Sequence, residues 1–187
     1  MNPSSSNLTH KRVLGVAIPI VLANATIPIL GAVDTGVVGQ MGLAAPIGAV
    51  GIGAIIISAI YWLFGFLRMG TTGLTAQAIG SNDHSETSAL LVRGIIIGLV
   101  AGLILILIQI PLFSGALGLA PASQEVEGLA NEYLKIRVFS APAAIAIFGI
   151  TGWLIANERT RAVLVLMLLI NSINIVLDFV FVLRLGW

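Results

Sequence analysis

Five stretches of this chain run for about twenty residues or more with almost no charge, the length a helix needs to cross the hydrocarbon core of a bilayer. They fall at about 13–38, 46–69, 90–113, 129–156 and 162–183. Lipid offers no hydrogen-bond partners, so a backbone crossing it must satisfy itself, and a helix does so within one segment. The apolar residues run continuously and do not alternate, which argues against a barrel. The expected fold class is all-α: a polytopic transmembrane helix bundle of about five spans over 13–187. It follows a polar tail at 1–12, MNPSSSNLTHKR.

Composition supports the same class. The chain is 58% hydrophobic and 9% charged with a mean hydropathy of +1.07, which leaves no room for a soluble domain of useful size. A net charge of +1 makes no case for nucleic acid. With no cysteine, thiol catalysis, disulfides and thiolate metal sites are excluded. His10 and His84 lie in polar segments and read as solvated loop residues. A signal peptide would use Lys11 and Arg12 with the small-x-small triplet Ala23-Asn24-Ala25, but the apolar run continues past the triplet, and cleavage there would leave half a span.

The connections carry the polar residues: GQMGLAA, GSNDHSETSA, SGALGLAPASQEVEG and NERTR, each expected as a loop or turn. With the N-terminus cytoplasmic, the inside holds Lys11, Arg12, Arg68, Arg93, Arg159 and Arg161, and the outside Lys135, Arg137 and Arg184. That bias orients spans one, three and five outward in a plasma (inner) membrane, and sets Tyr133 and Trp187 near the outer interface.

Two carboxylates stand where the chain is otherwise built for lipid. Asp34, in GAVDTGVVGQ, and Asp178, in NSINIVLDFVFV, both come out about 24 to 32 Å from the inner face at 1.5 Å per residue. Tyr133, near the start of the inward-running fourth span, falls at a similar level. Asn171, Asn174 and Asp178 stand at i, i+3 and i+7, on one helix face. A carboxylate in lipid costs about 2.5 to 3.5 kcal/mol on insertion scales, so this face is expected to turn toward protein or a wet cavity. Polar glue between helices is one reading of it. Two acids at matching depth on different helices favour the other, a proton or ion pathway, with sodium as the competing occupant. Arg184, at i+6 from Asp178, points away and snorkels outward.

Pro19 and Pro28 each remove a backbone donor from the first span and are able to bend it. Gly94, Gly98 and Gly102 form a small-residue ridge expected to pack on another helix of the chain, with a dimer contact as the alternative. Gly70 and Gly73, around Thr71 and Thr72, mark an expected bend or end of the second helix. No GxxxxGK[ST], HExxH or GxSxG pattern is present. Nucleotide, zinc-protease and serine-esterase chemistry therefore have no support, and the chain reads as no enzyme.

Together, AIPIVLANATIPILGAVDTGVVGQMG, TTGLTAQAIGSND, EYLKIRVFSAPA and NSINIVLDFVFV resemble the N-terminal lobe of the multidrug and toxic compound extrusion (MATE) family, in its DinF-like branch. The resemblance runs over essentially the whole chain. It implies a secondary antiporter exporting amphipathic or cationic organic compounds in exchange for protons or sodium, with no cofactor beyond that coupling ion. It also implies a cation- or proton-binding site at Asp34, Tyr133, Asn174 and Asp178, with Pro19 as the helix-bending proline. Sodium, if it couples, would sit at Asp34, Asn174 and Asp178. Family members have twelve helices in two lobes of six, so the chain is expected to be a fragment whose partner is the missing C-terminal lobe. The alternatives are a lipid-linked sugar flippase of a related branch and a small non-transporting membrane subunit.

Overall fold

The computed structural model describes residues 10–39, 44–120 and 122–180. Within them the chain is helical, and five segments are long and apolar enough to cross a membrane: 10–33, 44–80, 84–107, 124–156 and 160–177. The first is one helix, α1, His10–Gly39, which stays helical through Pro19 and Pro28. The second is built from α2, Ala44–Trp62, and α3, Gly65–Gly80. The third is α4, His84–Leu107, followed by the short α5, Gln109–Leu119. The fourth joins α6, Gln124–Arg137, through a 3₁₀ turn at Val138–Ser140 to α7, Ala141–Ala156. The fifth is α8, Thr160–Asp178.

The helices begin ahead of the apolar stretches, because polar and charged residues that cap a helix or suit its dipole belong to the first turns. His10–Arg12 and His84 thus belong to helices, with both histidines exposed. α4 starts at His84 because the Asp83 side chain accepts from the Glu86 N–H at 2.9 Å, closing an N-terminal donor. α6 starts at Gln124 behind Ser123, whose hydroxyl accepts from Val126 N–H. It has Glu125 and Glu127 in its first turn and Lys135 and Arg137 in its last, each favourable to the helix dipole.

Three expectations are corrected. The segment SGALGLAPASQEVEG is mostly helix, its first residues ending α5 and its last beginning α6. GSNDHSETSA is a turn of three residues, 81–83, between two helices. The second span does not end at Gly70 and Gly73, which lie inside α3; it breaks at Leu63–Phe64, where Phe64 N–H bonds back three residues to Tyr61. Between the glycines, the Thr72 hydroxyl lies 2.7 Å from the Arg68 carbonyl and 3.1 Å from the Gly152 carbonyl of α7, tying α3 to that helix.

Proline accounts for two other interruptions. Pro111 has no N–H to offer Leu107, which separates α5 from α4, and Gln109 Nε2 satisfies the nearby Ile106 carbonyl at 2.9 Å. Pro142 has none for Val138, so the chain tightens to a 3₁₀ turn before α7.

The core belongs to α2–α7. Ile56, Ile60, Leu67, Phe113, Leu134 and Ile145 are among its buried members, and among the described residues none of α1 or α8 belongs to this cluster. α4 packs most extensively on α7, through the small-residue ridge. A Cβ at Gly98 would stand 2.5 Å from Ala146 Cα and one at Gly102 would stand 2.3 Å from Pro142 Cα, while one at Gly94 would stand 3.4 Å from Gly149 Cα. The ridge is therefore an intramolecular contact. Trp153 Nε1 adds a hydrogen bond to the Thr87 carbonyl at 2.8 Å.

Candidate functional site

α1 and α8 lie outside that core and pack on each other. Ala23 in α1 and Val163 in α8 are buried, on helices otherwise rich in exposed apolar side chains. Polar contacts between described residues tie the pair. At its start, Arg12 Nη2 and Nε donate to the two carboxylate oxygens of Glu158 at 2.6 and 3.3 Å. Glu158 closes the α7–α8 turn with φ of 56°, a left-handed conformation uncommon outside glycine. Further along, Asn171 Nδ2 donates to Thr26 Oγ1 at 2.6 Å, and that hydroxyl donates onward to the Ala23 carbonyl at 2.7 Å.

These contacts fix the register. They join residues 146 and 145 apart in sequence, and a near-constant offset is the mark of parallel helices without slippage. Asp34 and Asp178 share almost the same offset, so the same register carried along both helices at 1.5 Å per residue would bring them to a similar height, about 10 to 12 Å beyond the Thr26–Asn171 bond. Asp34 lies in the last turns of α1 and Asp178 closes α8. The side chains of these two residues lie outside the described ones, as do Arg184 and Trp187 altogether.

Asn174 is half-buried one turn beyond Asn171. Pro19 is buried in α1, whereas Pro28 is exposed. Tyr133 stands on a different pair: it is carried by α6, which packs on α2, and its ring lies over Gly53. A Cβ on Gly53 would come within 2.5 Å of Tyr133 Cδ1, so the glycine makes the space the ring occupies. Of the residues singled out from sequence, the structure puts Asp34, Asn174 and Asp178 on one helix pair and Tyr133 on another.

Two members of the α1–α8 interface escaped the sequence reading. Thr26 is one of few polar residues in its span, but threonine commonly bonds its own helix backbone, so its type alone gives no signal. Glu158 sits in a turn, where a charge reads as solvated. Only the matching cation at the start of α1 hinted at a tie.

Comparison with known proteins bears on the same residues. The MatE family profile matches residues 19–180. DNA damage-inducible protein F of Escherichia coli is 38% identical over 170 residues, covering 91% of this chain and 37% of that protein. The multidrug export protein MepA of Staphylococcus aureus is 23% identical over 168 residues, covering 90% of this chain and 37% of its own. Among solved structures, a MOP superfamily transporter from Pyrococcus furiosus superposes with a TM-score of 0.85 at 23% identity, covering 95% of this chain and 39% of that one. A MATE chain in complex with MaD3S gives 0.84 at 23% identity, over 94% of this chain and 39% of that one. The chain thus spans under two fifths of the length of these relatives, and its helices take the fold of the matched part. With its profile match over most of its length and five membrane-crossing segments, this chain is a multi-pass membrane protein that belongs to the MatE family.

Proposed function

We propose that these residues form the acid-bearing part of a secondary transporter that exports amphipathic or cationic organic compounds in exchange for protons or sodium. What supports this reading is the near-constant offset of the two contacts between α1 and the α8 segment, a register that, extended along both helices, would bring Asp34 and Asp178 to a similar height. Removal from water disfavours a bare carboxylate, so each acid has reason to take a proton, a cation or a polar partner. Asn174, one turn before Asp178, offers an amide oxygen to a hard cation. The half-buried Tyr133 lies on the α2–α6 side.

Transport follows if ion and organic cation compete for this charge. Linkage then requires each to weaken binding of the other, so an inward ion gradient drives the compound outward. The pathway itself needs the remaining length that the relatives possess. The N-terminus lies on the cytoplasmic side in this reading, from the excess of Lys and Arg on that face.

The test is efflux by the full-length protein in proteoliposomes carrying either a pH or a sodium gradient. Asp34→Asn and Asp178→Asn should each abolish gradient-driven export while leaving membrane insertion intact. The gradient that supports export in the parent protein identifies the coupling ion. Undiminished export in both variants would remove the proposed site.

A further inference from the structure

The seam between α3 and α4 carries a groove that the α1–α8 site does not use. Its deeper part is a cavity of about 300 Å³ walled by apolar side chains, Phe66, Leu74, Leu90 and Ile97 among them, with Gly70 in its floor and Arg93 at its rim. The part nearer the α3–α4 turn is a cavity of about 380 Å³ lined by Gln77, Ser81, Asp83 and Glu86. Leu74, Leu90 and Glu86 border both, so the two cavities are one amphipathic groove.

At the junction, Arg93 donates to Glu86, two turns closer to the helix start, and both side chains remain substantially exposed. Asp83 accepts the Glu86 N–H on one carboxylate oxygen as the helix cap and lines the part of the groove nearer the turn. Along α4 the residues run Ile97, Arg93, Leu90, Glu86 toward the turn, and the Arg93 guanidinium reaches back past Leu90 to Glu86, so the apolar wall gives way at Glu86 to guanidinium and carboxylates.

A phospholipid with a primary-amine headgroup has the same order: acyl chain, phosphate, ammonium. Guanidinium pairs well with phosphate, and an ammonium donates three hydrogen bonds to carboxylate and hydroxyl oxygens. Other amphiphiles match in part only. A phosphocholine headgroup has no N–H to donate, an anionic glycerol headgroup sets no cation against Glu86 and Asp83, and a simple cationic amphiphile leaves Arg93 without an anion.

We propose that the α3–α4 groove binds a phosphatidylethanolamine-class lipid, one acyl chain along Leu74, Leu90 and Ile97, phosphate on Arg93, and ammonium on Glu86 and Asp83. This goes beyond the transport reading and does not rest on it. Such a lipid would replace the Arg93–Glu86 pair by two intermolecular pairs and fill the seam between two helices.

The test is lipid retention by the full chain released from nanodiscs of equal phosphatidylethanolamine, phosphatidylcholine and phosphatidylglycerol content, read by native mass spectrometry. The ethanolamine lipid should be retained preferentially. Arg93→Gln and Glu86→Gln should each weaken that retention about tenfold, the equivalent of one charge-assisted hydrogen bond. Both residues are surface-exposed, so the fold should tolerate either change. Gly70→Leu provides a second variant: no atom lies within 4 Å of the position its Cβ would take, so the new side chain should occlude the groove without disturbing helix content. Equal retention of the three lipids, or retention unchanged in Arg93→Gln and Glu86→Gln, would overturn the proposal. An organic cation held in place of lipid, and released by Glu86→Gln but not by Arg93→Gln, would overturn it in favour of a drug-like occupant.

Discussion

Asn171 Nδ2 lies 2.6 Å from Thr26 Oγ1, and this bond joins α8 to α1, two helices none of whose described residues belongs to the large core cluster of α2–α7. Helix association in lipid has no hydrophobic drive of its own, so interhelical polar contacts and close packing decide it. A double-mutant cycle of Thr26→Val and Asn171→Leu should therefore give a coupling of about 0.6 to 1.7 kcal/mol, the range such membrane bonds show. Unfolding in mixed micelles supplies the four stabilities. A coupling near zero would leave apolar packing as the sole tie in the middle of this pair.

The glycine ridge predicts a sharper contrast. At Gly98 a new methyl would meet the Ala146 backbone, which has no flexible end to move aside. Gly98→Ala should cost about 1 to 3 kcal/mol through overpacking of α4 on α7. Gly115, in α5, has open space at the same position, and Gly115→Ala should be neutral or stabilising by up to about 1 kcal/mol through helix propensity. Thermal melts of both variants in one detergent make the comparison. Equal responses would mean that α4 and α7 separate readily.

Much of this architecture was legible in the residues. The apolar runs give five crossings because lipid admits few alternatives to a helix, and Pro111 and Pro142 mark two of the interruptions by withholding a donor. The break at Leu63–Phe64 has no proline beside it, and Gly70 and Gly73 drew attention away from it because glycine is weighed by propensity, whereas α7 supports α3 there through Thr72. Helix ends were misplaced where a cap such as Asp83 extends a helix beyond its apolar face. In the site, helical spacing was enough to put Asn171, Asn174 and Asp178 on one stripe of α8. The partners of that stripe are tertiary facts. Neither Thr26 opposite Asn171 nor Gly53 beneath Tyr133 has a local signature, because each is defined by a residue more than seventy positions away.

The position of Tyr133 depends on the absence of a side chain at Gly53. Gly53→Ala should push the ring aside, since a Cβ there would overlap Cδ1. If the ring serves the proposed site, Gly53→Ala should lower export by the full-length protein, and adding it to Tyr133→Ala should cause no further loss. Residues acting through one contact are non-additive in this way. Losses that multiply in the double variant would separate Gly53 from Tyr133, assigning the glycine to α2–α6 packing alone.

The α1–α8 register makes the final prediction, and it concerns the acids directly. These 187 residues hold no cysteine, so pairs introduced in this chain report without background from it. Cysteines replacing Thr26 and Asn171 should form a disulfide, because the native side chains already touch across the interface. Cysteines replacing Asp34 and Asp178 should be joined by a short bis-maleimide linker, as the same register carried along both helices would bring them to a similar height. An Asp34→Cys, Val163→Cys pair should not link, since Val163 lies near the opposite end of α8. Linkage of Asp34→Cys to position 163 as readily as to position 178 would mean that α1 slips along α8. The two carboxylates would then share no fixed level at which to hold a common ion.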